Sequence, residues 1–188
     1  MIHIYTDGSA AKNRSGWGWI LVRPDGTYEI ESGIDHEGGT NQRMELTAAL
    51  QALAYWAEHY YDEDVTIHSD SAYFCNCYFE KWYIAWENND YKTSRNEPVM
   101  HQDLWRNLIG FFKNPRVHIE KVKGHSGHTY NEIADELASG VFEMKNLTRN
   151  ELNDKIDIEL SEVLLDYVMK KYPVGETIKR IRKVCNCE

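Results

Sequence analysis

A mixed α/β fold is what this sequence predicts: a three-stranded antiparallel meander, its sheet widened by parallel strands reached through crossover helices. Two observations carry the prediction. The first third is a series of short β-rich segments separated by turn residues. Beyond it, stretches with apolar residues at helical spacing alternate with single short strands.

The elements follow in order. Ile2-His3-Ile4-Tyr5 reads as a strand that ends at Asp7-Gly8-Ser9. Gly16 to Val22 is a second strand, stopped by Pro24-Asp25-Gly26-Thr27, where Pro and Gly stand in turn order. Tyr28-Glu29-Ile30-Glu31 alternates as a third. Leu46, Ala49, Leu50, Leu53 and Ala57 then make one helical stripe, with Thr40 or Asn41 as its cap. Val65-Thr66-Ile67-His68 is a strand ending at Ser69-Asp70. A helical zone spans Tyr73 to Trp86, followed by a polar loop from Asn88 to Pro98. Leu104, Leu108, Phe111 and Phe112 mark another helix. Arg116 to Val122 alternates as the last strand, with Val117, Ile119 and Lys121 on one side. Thr129-Tyr130-Asn131-Glu132 has the form of a capping box before a helix carrying Ile133, Leu137 and Val141.

The 188 residues suit one globular domain with an appendage. No apolar run approaches the ~20 residues a membrane span needs, and Asp7 comes too early for a signal peptide. These features point to a cytoplasmic chain. Its four cysteines form two Cys-Asn-Cys pairs, Cys75/Cys77 and Cys185/Cys187. One-residue spacing is not the usual structural-zinc pattern, so reduced thiols are the simpler reading. The net charge of −9 argues against a nucleic-acid partner, because phosphates repel an acidic surface.

The acids nevertheless fall at special places. Asp7 and Asp70 end the first and fourth strands; if those strands are parallel neighbours, both carboxylates project at one sheet edge, where sites form in open α/β sheets. Glu45, in the first turn of its helix, and Asp135, in the second turn of the last helix, lie beside their apolar stripes. Each alone reads as a turn former, a helix-dipole partner or a solvated residue. Together they would repel one another without a cation. Oxygen-only ligands suit Mg²⁺ or Mn²⁺, and two such ions ~3.5–4 Å apart serve phosphodiester hydrolysis.

The segments around these acids carry a family resemblance. Ile4-Tyr5-Thr6-Asp7-Gly8-Ser9, Thr40-Asn41-Gln42-Arg43-Met44-Glu45-Leu46, Ser69-Asp70-Ser71, and Val122-Lys123-Gly124-His125-Ser126-Gly127-His128 through Asp135-Glu136-Leu137-Ala138 resemble the type 1 ribonuclease H family, in the right order over residues 1–144. The resemblance implies a ribonuclease H-like, five-stranded mixed sheet flanked by helices. It implies two-metal endonucleolytic cleavage of the RNA strand of RNA–DNA hybrids, leaving 5′-phosphate and 3′-hydroxyl ends. By motif position, Asp7, Glu45, Asp70 and Asp135 match the family's metal-binding carboxylates, with Mg²⁺ as cofactor and Mn²⁺ as substitute. His125 matches its loop histidine, which assists proton transfer or product release. Asn13, Asn41 and Gln42 match contacts to base edges and 2′-hydroxyls, and Thr40 a DNA-phosphate contact. The family often has arginine two residues before that threonine. Gly38 stands there here, leaving the pocket to another group such as His36. Lys81 to Trp86 and Tyr91 to Ser94 resemble the family's substrate-binding protrusion, with Trp82 and Trp86 facing the DNA strand or joining the core. Glu80, Glu87, Asp90 and Glu97 dilute its usual basic charge.

Residues 145–188 lie beyond the family's minimal domain and read as a helical extension. From residue 146 onward, eight Lys/Arg balance eight Asp/Glu, but Lys179, Arg180, Arg182 and Lys183 form a basic cluster. Solvated helices packed on the domain or on a second copy are the plain reading; an added nucleic-acid contact is the sharper one. Two rivals to the hybrid nuclease remain on sequence grounds: a catalytically weak hybrid-binding module, and a superfamily nuclease acting on DNA. Nothing in the chain reads as a polymerase or an N-terminal hybrid-binding segment.

Overall fold

The computed structural model describes residues 1–11, 14–35, 39–124 and 128–140. Five strands form one sheet: β1 (Ile2–Ala11), β2 (Arg14–Val22), β3 (Tyr28–Asp35), β4 (Val65–Ser69) and β5 (Val117–Lys121). Their order is β3-β2-β1-β4-β5. The first three are antiparallel, and β4 and β5 add in parallel beside β1, as the element order requires. The helices are α1 (Asn41–His59), α2 (Ala72–Phe79), α3 (Trp82–Asn88), α4 (Gln102–Phe112) and α5 (Thr129–Ser139).

Strand β1 is longer than its sequence pattern indicated. The Asp7-Gly8-Ser9 segment does not turn; it stays extended because it pairs with Gly18, Trp17 and Gly16 of β2. Asp7 therefore lies inside β1. Its pairing with β4, however, ends at Tyr5↔His68, so Asp7 stands just beyond the point where β1 and β4 part. β3 likewise runs on to Asp35.

Alternation along β1 divides the sheet between two layers. Ile2 and Ile4 enter a large core with Leu46, Leu53, Trp56, Ile67, Phe74, Trp105 and Leu108, beneath α1, α2 and α4. On the other side Ile20, Ile133, Ala134 and Leu137 are buried beneath α5. α1 buries more than one stripe: Met44, Leu46, Ala48, Ala49, Ala52, Leu53, Tyr55 and Trp56 are all inaccessible. An Arg43 guanidinium holds the Asp103 carboxylate of α4 with two bonds of 3.1 and 2.7 Å.

Other boundaries also shift. The helical zone after β4 is two helices, broken where Lys81 takes left-handed geometry (φ 55°). Lys121 is exposed, unlike Val117 and Ile119. Glu132 N–H donates to the His128 carbonyl at 3.0 Å, which puts Thr129 inside the first turn of α5 rather than at its cap. Among the described residues no helix is long and apolar enough to cross a membrane. The extension at 145–188 lies outside the described residues, as do Cys185 and Cys187. Cys75 and Cys77 are buried free thiols.

Candidate active site

Four separate elements deliver one carboxylate each to a single pocket of about 370 Å³. Asp7 comes from β1, Glu45 from α1, Asp70 from the end of β4 and Asp135 from α5. Asn41 and Ser71 share its lining. Glu45 is the fifth residue of α1, so it opens the second turn and not the first.

Missing side chains make this convergence possible. A Cβ on Gly8 would stand 2.1 Å from the Glu45 backbone nitrogen. That contact is sterically forbidden, so glycine lets β1 approach α1 closely enough to set Asp7 beside Glu45. On the opposite face, a Cβ on Gly18 would meet Leu137 Cβ at 2.4 Å, and one on Gly16 the Ala138 carbonyl at 2.4 Å. These two glycines seat α5, and with it Asp135, against the sheet.

The pocket is electrostatically crowded. Burial pushes the Asp7 carboxyl up to about 8, and the neighbouring Asp70 and Asp135 carboxylates add to the rise. The Gly8 N–H, donating to Asp7 Oδ1 at 2.7 Å, opposes it. Glu45 is also raised, mainly by burial and further by Asp70, while the Ser71 hydroxyl holds its charged form. Ser71 has two tasks: it caps α2 by accepting from Phe74 N–H, and its hydroxyl donates to Glu45 Oε2. The motif pattern alone does not mark Ser71 as a site residue. Its signal is a serine directly before an apolar helical stretch, the position of an N-cap.

The donor set fits a hard divalent cation: oxygen only, acidic and partly buried. A cation would also offset the burial, and the lesser repulsion, that raise Asp7 and Glu45. Asp7 and Asp135 already meet through a side-chain hydrogen bond, which adds to the rise at Asp7. Among the described residues no three His, Cys, Asp or Glu side chains already stand as a ligand cage.

The remaining expected residues separate into three groups. Thr40, Asn41 and Gln42 sit exposed at the start of α1, and of the three Asn41 lines the pocket. Thr40 is the cap, accepting from Arg43 N–H at 3.2 Å, so its hydroxyl hydrogen remains available to a ligand. The Ala10 N–H donates to Asn41 Oδ1 at 2.6 Å, which commits the carbonyl and leaves the amide NH₂ as donor. Trp82 and Trp86 do not line the pocket. Half-buried on α3, they join an aromatic cluster in which Trp86 meets Trp105 at 5.4 Å and Trp82 meets Tyr73 at 6.4 Å. Asn13 and His125 lie outside the described residues, as do His36 and Gly38.

Similarity to known proteins agrees with this architecture. The RNase H family pattern matches residues 1–143. A ribonuclease H of Syntrophomonas wolfei is 42% identical over 142 residues, covering 73% of this chain and 92% of the relative. One from Caldicellulosiruptor saccharolyticus is 42% identical over 137 residues, covering 72% and 91%. Among solved structures, the type 1 RNase H called LC9-RNase H1 superposes with a TM-score of 0.62 at 24% identity, covering 73% of this chain and 70% of that one. A foamy viral protease-reverse transcriptase in complex with RNA/DNA hybrid superposes with a TM-score of 0.63 at 23% identity, covering 73% and 19%. A five-stranded mixed sheet with helices on both faces, and four acids from its strands and helices around one pocket, thus defines a nuclease of the ribonuclease H type. The chain belongs to the ribonuclease H family. It is an enzyme of that class, whose activity is cleavage of the RNA strand in RNA–DNA hybrids.

Proposed function

We propose that Asp7, Glu45, Asp70 and Asp135 are the catalytic carboxylates, and that they hold two Mg²⁺ ions, with Mn²⁺ as substitute. The observation that carries this reading is the delivery of four acids by four elements to one pocket. Bound there, the two ions would neutralise the acids and stabilise charge on the scissile phosphate. The products are a 5′-phosphate and a 3′-hydroxyl.

The chain's own residues bind and orient. Asn41, through its amide NH₂, and Gln42 beside it read minor-groove edges and 2′-hydroxyls, the groups that separate RNA from DNA. Thr40 donates to a phosphate of the DNA strand. Asn13 and His125 are assigned by motif position, the first to hybrid contact and the second to proton transfer or product release. Trp82 and Trp86 shape the protrusion that meets the DNA strand. A cytoplasmic setting suits the buried thiols of Cys75 and Cys77.

The test is a labelled RNA–DNA hybrid, RNA duplex and DNA duplex, each incubated with Mg²⁺, Mn²⁺ or chelator. Cleavage confined to the RNA of the hybrid and abolished by chelator is expected. Cutting of the DNA duplex would favour a superfamily nuclease of another kind, and binding without turnover a hybrid-recognition module.

A further inference from the structure

A second cluster, of two histidines and a glutamate, lies on the α5 side of the sheet, over β1, β4 and β5. His3 and His68 stand diagonally on neighbouring parallel strands, and His3 Nδ1 faces His68 Nε2 at 2.9 Å. His68 is only 5% exposed. Tyr5, its register partner, stacks on it with centroids 4.3 Å apart and planes 11° from parallel. Its other nitrogen, Nδ1, is buried without a hydrogen bond. Glu120 Oε2 stands 3.6 Å from that atom, just beyond hydrogen-bond reach. The Glu120 side chain is 63% exposed, so a small rotation closes the gap.

We propose that this pair binds one borderline transition-metal ion of the zinc class, with His3 Nδ1 and His68 Nε2 as ligands and Glu120 fixing the His68 ring from behind. Zinc–imidazole bonds are about 2.0–2.1 Å long, so two nitrogens 2.9 Å apart subtend about 90° at the ion. Opening the pair by about 0.4 Å reaches the tetrahedral angle. The metal takes the place of the proton that the two rings share. A carboxylate behind a ligating imidazole is the usual device for holding its tautomer and orientation. The pair supplies two positions and water the others, so the ion is exchangeable. Imidazole nitrogen selects zinc-class ions while the oxygen-only pocket selects Mg²⁺, so one small domain sorts two cations by donor chemistry.

Zinc is titrated calorimetrically into the full chain with Mg²⁺ saturating, comparing wild type with His3→Ala, His68→Asn and Glu120→Gln. Expected are one zinc equivalent in wild type, at least tenfold weaker binding in both histidine variants, and a loss of about tenfold in Glu120→Gln. Zinc should also raise the melting temperature of wild type but not of His3→Ala. If His68→Asn does not fold, His3→Ala on the half-buried partner decides alone. Unchanged zinc affinity in His3→Ala would overturn the assignment. So would loss of zinc only in Asp70→Asn, which places the ion on the carboxylates, or only in a Cys185→Ser, Cys187→Ser double variant, which places it on the tail thiols.

Discussion

Asp7 shows at residue scale what the pocket costs the protein. Its carboxyl, raised to about 8 in the fold, has an ordinary value near 3.8 when unfolded. Between those values the native state holds a proton that the unfolded state has lost, so stability of the metal-free protein declines as pH rises from about 4 to about 8. A divalent ion removes the penalty. The gain in melting temperature on adding Mg²⁺ should therefore be larger at about pH 8 than at about pH 5; an equal gain at both would count against Asp7 as a ligand. Asp70→Asn should abolish turnover while leaving the fold and hybrid binding largely intact, measured by single-turnover cleavage and circular dichroism. Near-wild-type cleavage under Mg²⁺ would sink the two-metal reading. His125→Ala should lower the rate by ~10²–10⁴ at most, the range for general acid–base help, with metal affinity little changed. Loss of metal binding in that variant would make His125 a ligand instead. The four acids were legible in the sequence because motif spacing and strand ends mark them. Ser71 was not, because its bond to Glu45 exists only once α1 and α2 are packed.

At the scale of elements, the glycines decide where the acids stand. Gly8→Ala should destabilise by at least ~1–3 kcal/mol, the usual cost of overpacking, because the new methyl meets Glu45 backbone. Activity should fall with it, since α1 must retreat from β1. Gly110→Ala is the counter-case. Gly110 lies within α4, and a methyl added there would meet nothing within 4 Å. That change should stabilise by ~0.5–1 kcal/mol and leave cleavage unchanged. Urea unfolding of both variants checks the pair. The directions of the strands were legible from turn residues and helical stripes; that β4 lies directly beside β1 was not, since no local pattern names a strand's nonlocal neighbour. The true length of β1 was not, since Asp7-Gly8-Ser9 reads as a turn in isolation and is held extended by β2. The break between α2 and α3 at Lys81 was equally hidden, because a lysine carries no signal for left-handed backbone.

For the whole molecule, the open matter is how a chain of net charge −9 holds a polyanion. Cations bound as proposed would neutralise part of that charge at the pocket. Lys81 and Lys113 lie near the protrusion, yet Lys113 is already engaged with Glu87 at 2.6 Å. The dense basic cluster Lys179, Arg180, Arg182 and Lys183 belongs to the extension. If those residues touch phosphates, truncation after Pro173 should weaken hybrid binding at low salt. It should also flatten the log–log salt dependence by about 0.9 for each lost contact. Turnover at saturating substrate should persist. Parallel salt series for the full and shortened chains would show that the extension leaves the nucleic acid alone.

The split pairing of β1 has a consequence in time. Its antiparallel bond to β2 joins neighbours in sequence, with Ala11 opposite Arg14, whereas its parallel bond to β4 joins Ile2 to Val65. Nonlocal pairings close slowly, because a long loop must be ordered before any contact rewards it. Asp7 and Asp70 meet only through that second closure. During refolding, the indole signals of Trp17 and Trp19 in the hairpin should therefore recover ahead of cleavage, and the return of cleavage should follow the slowest kinetic phase. A pocket assembled across a nonlocal seam of the sheet would make activity a clock for completed folding.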